Sequence, residues 1–133
     1  MKSKIPQNIR VLLVDDHAMV RQGLRSILAT YPNFEVVGEA GNGEEALRYV
    51  EMLSPSVVVM DISMPKLNGI EATMKIKQTY PHVVVVGLSV NAEDNRPAMT
   101  AAGATTVISK EAAVEQLYDE IIVSIRRRSS AIH

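Results

Sequence analysis

The chain has 133 residues, 47% of them apolar and 22% charged, which is enough for one globular core and too little for two. Fourteen Lys and Arg against fifteen Asp and Glu leave a formal charge of −1, so no field exists that would hold nucleic acid or an anionic membrane by charge alone. Cysteine is absent, which excludes disulfides and thiolate metal or redox sites, and no apolar run approaches the roughly 18 residues of a membrane span. Residues 1–10 carry Lys2 and Lys4 but then Pro6, Gln7 and Asn8, without the apolar stretch of a signal peptide. The expectation is a soluble, cytoplasmic single domain.

Residues 9–14 are a short apolar run that predicts a strand ending at the acidic pair Asp15 and Asp16. Residues 18–31 repeat at helical spacing, with Val20, Leu24, Ile27 and Leu28 on one face, until Pro32 stops them. Residues 34–38 read as a second strand, and 43–53 as a helix with Ala46, Leu47, Val50 and Leu53 inward. Residues 57–60 are apolar throughout and predict a strand buried on both faces. A helix over 70–80 closes at Pro81, and 83–88 is another wholly apolar strand. Pro97 disfavours helix at Arg96, so only a short helical piece, 97–102, is expected before Gly103. Residues 104–108 make a fifth strand. Residues 112–127 make a last helix with Val114, Leu117, Ile121 and Ile125 aligned, and Arg126, Arg127 and Arg128 lie favourably against the dipole at its end. Five alternations of strand and helix argue for an α/β fold, a parallel sheet with helices on both faces.

Ligands of open parallel sheets bind outside the carboxyl ends of the strands. There the sequence places Asp15 and Asp16 after the first strand, Glu39 after the second, Asp61 after the third, Ser89 after the fourth, and Ser109 and Lys110 after the fifth. Taken singly each is bland: an Asp before a helix is usually an N-cap, and a Ser or Lys in a loop is usually solvated. Their joint placement is what the bland explanation leaves out. Three neighbouring carboxylates repel, and an all-oxygen cluster suits Mg²⁺. A carboxylate beside such an ion can attack phosphorus and form an acyl phosphate, with Lys110 and the Ser89 hydroxyl stabilising the phosphoryl oxygens. Asp61 is the best nucleophile because it ends the central buried strand.

These residues carry a resemblance. Ile9-Arg-Val-Leu-Leu-Val-Asp-Asp16, Asp61-Ile-Ser-Met-Pro-Lys-Leu-Asn-Gly69, Leu88-Ser89 and Lys110 together resemble the receiver domain of two-component response regulators, over residues 9–125. The resemblance implies a flavodoxin-like doubly wound sheet of five parallel strands in the order 2-1-3-4-5. It implies a receiver spanning 9–127 with flexible ends at 1–8 and 128–133. Asp61 would be the phosphoacceptor, Asp16 a direct Mg²⁺ ligand, Asp15 a ligand through water and the Ser63 backbone carbonyl a further ligand. Ser89 would be the switch hydroxyl and Lys110 the phosphoryl counter-charge. Such a domain is a signalling module, catalysing only its own phosphorylation and dephosphorylation, with a histidine kinase or phosphotransfer protein as donor.

Val-Asp-Asp-His-Ala-Met-Val-Arg-Gln-Gly23 and Val-Val-Gly-Glu-Ala40 look most like receivers found with LuxR-type helix-turn-helix domains. Leu-Ser-Val-Asn-Ala92 and Lys-Glu-Ala-Ala-Val114 also resemble receivers at the carboxyl end of hybrid histidine kinases. An output domain or a kinase core in a longer parent is therefore expected, or a stand-alone receiver; a homodimer is left open, and the domain itself is not expected to bind nucleic acid or membrane.

Two positions depart from the family pattern. Val107 stands where many members have Phe or Tyr, and Glu111 where many have Pro. Val107 is short and stiff at χ1, so it is expected to keep its rotamer while residues 89–99 carry the signal, and the peptide before Glu111 is expected to be trans. A rival motif, Gly41-Asn-Gly43-Glu-Glu-Ala46, fits a dinucleotide-binding fingerprint, but Glu44 and Glu45 put negative charge where a pyrophosphate would sit. His17 reads as a solvated first-turn residue.

Overall fold

Five strands and five helices alternate in a computed structural model that describes residues 5–64 and 66–132. The strands are β1 (Ile9–Val14), β2 (Phe34–Ala40), β3 (Val57–Asp61), β4 (Val84–Ser89) and β5 (Thr106–Ser109). The helices are α1 (Ala18–Leu28), α2 (Gly43–Leu53), α3 (Gly69–Thr79), α4 (Ala92–Ala102) and α5 (Ala113–Ile132). All neighbouring strands pair in parallel, in the order β2-β1-β3-β4-β5, which is the flavodoxin-like arrangement expected.

The apolar strands feed two cores by simple alternation. Ile9, Val11, Leu13, Val57, Val59, Val84, Val86, Leu88 and Ile108 face α1 and α5, where Leu24, Leu28, Leu117 and Ile121 meet them. Leu12, Val14, Val58, Met60, Val85 and Val107 face the other way, onto Val50 of α2, Ile76 of α3 and Met99 of α4. Burying each such side chain contributes about 1.5–3 kcal/mol relative to leaving it in water. This parity also decides which face each strand end presents.

The ends of several elements differ from expectation for tertiary reasons. α1 stops at Leu28 rather than Tyr31, because Tyr31 leaves the helix to stack on Tyr118 at 3.9 Å between centroids. α5 continues to Ile132, so Arg126, Arg127 and Arg128 lie inside the helix and not at its end; Arg128 donates instead to the His82 carbonyl at 2.8 Å. Of the expected flexible ends, residues 1–4 and 133 lie outside the described residues. The largest correction concerns α4, which begins at Ala92 and holds helix straight through Arg96 and Pro97. Met99 and Ala102 of this helix are buried, and the Arg96 guanidinium is tied to the Val107 carbonyl of β5, so packing overrides the local preference of the residue before proline. Every described peptide bond is trans, including that before Glu111.

Candidate functional site

Asp15, Asp61 and Lys110 continue the strand parity of Leu13, Val59 and Ile108, and so emerge on the α1/α5 face. They meet there: Lys110 Nζ lies 3.0 Å from Asp15 Oδ2 and 3.2 Å from Asp61 Oδ1. Asp15 is fully buried and Asp61 is 2% exposed. Burial first, and then repulsion from Asp15, lifts the Asp61 carboxyl from an ordinary 3.8 to about 6, against the pull of Lys110. Burial also pulls the Lys110 ammonium down, but its contact with Asp15 and the charges of Asp61 and Asp15 outweigh that and hold it above its ordinary value. One ammonium thus serves two crowded carboxylates, and Asp61 Oδ2 is buried without a hydrogen-bond partner.

The backbone around Asp61 explains the residues that follow it. Gly69 N donates to the Ile62 carbonyl at 2.9 Å, and Ile62 N donates to the Leu88 carbonyl at 3.2 Å. Gly69 opens α3 so close to the Asp61 carbonyl that any Cβ would overlap it, and Asn68 caps the helix by accepting from Glu71 N at 2.9 Å. The end of β3 is therefore clamped between β4 and the start of α3. Ser63 lies exposed in the intervening loop, and Pro65 of the same motif lies outside the described residues.

Asp16 does not cap α1. The capping position is His17, whose side chain makes no cap, while its backbone N–H donates to Asp15 Oδ1 at 2.8 Å. The His17 imidazole is largely exposed, as expected of a solvated residue, yet its Nδ1 sits 3.0 Å from Asp16 Oδ1 and 3.3 Å from Asp15 Oδ1. Asp15, Asp16 and His17 offer atoms within 4.8 Å of one another, an arrangement able to hold a metal ion. Glu39 is drawn off elsewhere: Arg21 Nε at 2.8 Å and Arg25 Nε at 2.7 Å clamp it to α1. The hydrogen bond from Arg25, then that from Arg21, holds its carboxyl below the ordinary value.

Ser89 has the opposite parity to Asp61. Its neighbour Leu88 pairs in register with Asp61, and Ser89 itself, 4% exposed, turns its hydroxyl toward α4. Ser89 Oγ accepts from Asn91 N at 2.9 Å and from Asn95 Nδ2 at 2.8 Å. Val107 is 1% exposed in the core under α4, and Arg96, which grips its carbonyl, also pairs with Glu93 at 3.2 Å. Asn95 and Arg96 escaped the sequence reading because Pro97 argued that no helix preceded it; a helix begun at Ala92 would have placed Asn95 one turn beyond Asn91.

The glycine-rich turn serves packing. Gly43 N donates to the Leu67 carbonyl at 3.0 Å, so near that a Cβ would overlap it. Glu45 Oε1 accepts from Gly41 N at 2.7 Å while Asn42 Oδ1 accepts from Glu45 N at 2.9 Å, a reciprocal cap that puts a carboxylate where a dinucleotide would need a phosphate. Among the described residues, no helix is long and apolar enough to cross a membrane.

Comparison with known proteins agrees with this geometry. The family model of the response regulator receiver domain matches residues 11–122. Transcriptional regulatory protein DegU of Brevibacillus brevis is 38% identical over 125 residues, covering 92% of this chain and 53% of that protein. Response regulator UvrY of Escherichia coli strain K12 is 43% identical over 114 residues, covering 85% of this chain and 52% of that protein. The chain thus spans about half the length of these relatives. The response regulator domain of CheB from Thermotoga maritima superposes with a TM-score of 0.84 at 32% identity, covering 90% of this chain and 98% of that one. The chain belongs to the response regulator receiver domain family.

Proposed function

We propose that Asp61 is the phosphoacceptor of this receiver, taking a phosphoryl group from a phosphohistidine of a histidine kinase or phosphotransfer protein. The carrying observation is the buried constellation in which Lys110 spans Asp15 and Asp61 while Asp61 Oδ2 is left without a partner. In the reaction an Asp61 carboxylate oxygen bonds to phosphorus as the phosphorus–nitrogen bond of the donor breaks, and the imidazole departs with the electron pair. At neutral pH the Asp61 carboxyl, at about 6, is mostly ionised and so able to attack.

Receiver domains typically use Mg²⁺. The donor set fits that ion: Asp15, Asp16 and Asp61 supply hard oxygens, one of them buried and unpartnered, and their mutual repulsion favours a cation among them. Asp15, Asp16, Asp61 and the Ser63 carbonyl would hold it. Bound there, it would neutralise the crowded carboxylates and polarise the phosphoryl oxygens. Lys110 supplies a fixed positive charge to the new acyl phosphate, and the Ser89 hydroxyl supplies a hydrogen-bond donor. Val107, packed under α4, keeps its place, and the change is passed to residues 89–99.

The name of one relative, Transcriptional regulatory protein DegU, and the relatives' roughly double length support a parent that regulates transcription through an output domain joined to this one. The phosphoryl donor and this receiver then meet in the cytoplasm. Incubation with Mg²⁺ and acetyl phosphate should add one base-labile phosphoryl group to the wild-type chain and none to Asp61→Asn. Equal labelling of that variant would remove Asp61 from the role.

A further inference from the structure

We propose that Asn95 is a positioning residue that holds the Ser89 hydroxyl on the α4 side of the sheet. Delivering that hydroxyl to a phosphoryl group on Asp61 then breaks the Asn95 bond and loosens the first turns of α4. The proposal rests on the reading of Asp61 as phosphoacceptor.

Three observations carry it. Asp61 is the register partner of Leu88, so the two side chains share the α1/α5 face, and Ser89, one residue on, starts from the opposite face. A hydroxyl oxygen has two acceptor sites, and both are occupied here, by Asn91 N at 2.9 Å and Asn95 Nδ2 at 2.8 Å. With both donors on the α4 side, the oxygen cannot swing over the end of the sheet toward Asp61 and keep the Asn95 bond.

The third observation is how the start of α4 is secured. Its capping residue, Asn91, makes no side-chain cap, and the first helical bond, Asn95 N to the Asn91 carbonyl, is long at 3.3 Å. Pro97 lacks the N–H that would bond to the Glu93 carbonyl. The Asn95 amide closes a small ring by also donating to the Asn91 carbonyl at 3.2 Å, and Arg96 reaches across to the Val107 carbonyl. The first turns of α4 are therefore tied to Ser89 and β5 as well as by helical bonds of their own and by the packing of Ala92 on the core. Moving the Ser89 hydroxyl removes one of these supports.

The test is a double-mutant cycle on the whole chain, with Mg²⁺ and beryllofluoride as the phosphoryl mimic and affinity read by NMR titration. Asn95→Ala, at a half-exposed helical position, should fold as well as the wild type and bind the mimic about two- to tenfold tighter, because one competing hydrogen bond is gone. In a Ser89→Ala background the same substitution should change nothing. Amide exchange over residues 92–96 should speed up when the wild type binds the mimic, and should already be fast in free Asn95→Ala. Weaker or unchanged binding by Asn95→Ala, or an equal effect in both backgrounds, would overturn the proposal. A wild-type chain that binds no mimic and takes no phosphoryl from acetyl phosphate would instead overturn the reading of Asp61, and this proposal with it.

Discussion

The two faces of the sheet end in different ways at its carboxyl edge. On the α1/α5 side, Asp15, Asp61 and Lys110 stand on or next to strand ends and are joined by charge, with their backbones clamped between neighbouring strands and the start of α3. On the α4 side, Ser89 and Val107 are joined by neutral or singly charged hydrogen bonds to Asn95 and Arg96, on a helix with a proline in its middle. The first arrangement is electrostatically loaded, whereas the second adds hydrogen bonds, about 1 kcal/mol for the neutral one and about 1.5–3 kcal/mol for the one from the guanidinium, to the burial of Met99 and Val107. Chemistry needs the former and a change of shape needs the latter.

The largest expected effect breaks the charged side. Lys110→Met leaves Asp15 and Asp61 buried without a counter-charge, and should destabilise the metal-free chain by about 2–3 kcal/mol at pH 8, a little below the range for fully buried pairs because Lys110 is 22% exposed. The loss should shrink at pH 5, where Asp61 takes up a proton. Urea midpoints at the two pH values check both statements, and equal losses would mean that the ammonium acts through packing alone.

Asp61→Asn sharpens the same point with the opposite sign. The Asp61 carboxyl is raised from 3.8 to about 6, so between those values the folded chain holds a proton that the unfolded chain has released. Stability from this group therefore falls as pH rises through that window and is gone above it. Removing the charge should stabilise the metal-free chain by about 2 kcal/mol at pH 8 and by nothing near pH 4. Thermal unfolding across that range reads the trend, and a gain that grew on acidification would contradict it.

The smallest effect probes the α4 side. Pro97→Ala restores an N–H within the helix and should stabilise the chain by about 1 kcal/mol, well under the roughly 3 kcal/mol of a proline in an ideal helix, since packing already accommodates it. Slower amide exchange confined to α4 would place the gain there; exchange unchanged in α4 would show that the proline does not loosen the helix.

Much of the site was legible because each apolar strand run stops where a polar residue begins. Asp15, Asp61, Ser89 and Lys110 could be read from those boundaries, and the structure gathers Asp15, Asp61 and Lys110 within hydrogen-bonding range. Glu39 has the same kind of position, yet it is taken by Arg21 and Arg25 from a helix one turn apart, a competition that no local pattern displays. The contact of His17 with Asp15 and Asp16 is hidden from the sequence for a similar reason, since it depends on how the chain turns into α1. The glycines of residues 41–43 form the turn before a helix that Glu44 and Glu45 argue for, and the approach of Leu67 and the Glu45 cap give its reason.

By itself the sequence determined the alternation of strands and helices, the burial of both sheet faces and the residues at the strand ends, because periodicity and hydrophobicity are local properties of the chain. Only the tertiary structure decided where α4 begins and what Ser89 touches. Both depend on Arg96 meeting the Val107 carbonyl and on Met99 entering the core, contacts between α4 and one face of the sheet that outweigh the conformational bias of the residue before Pro97.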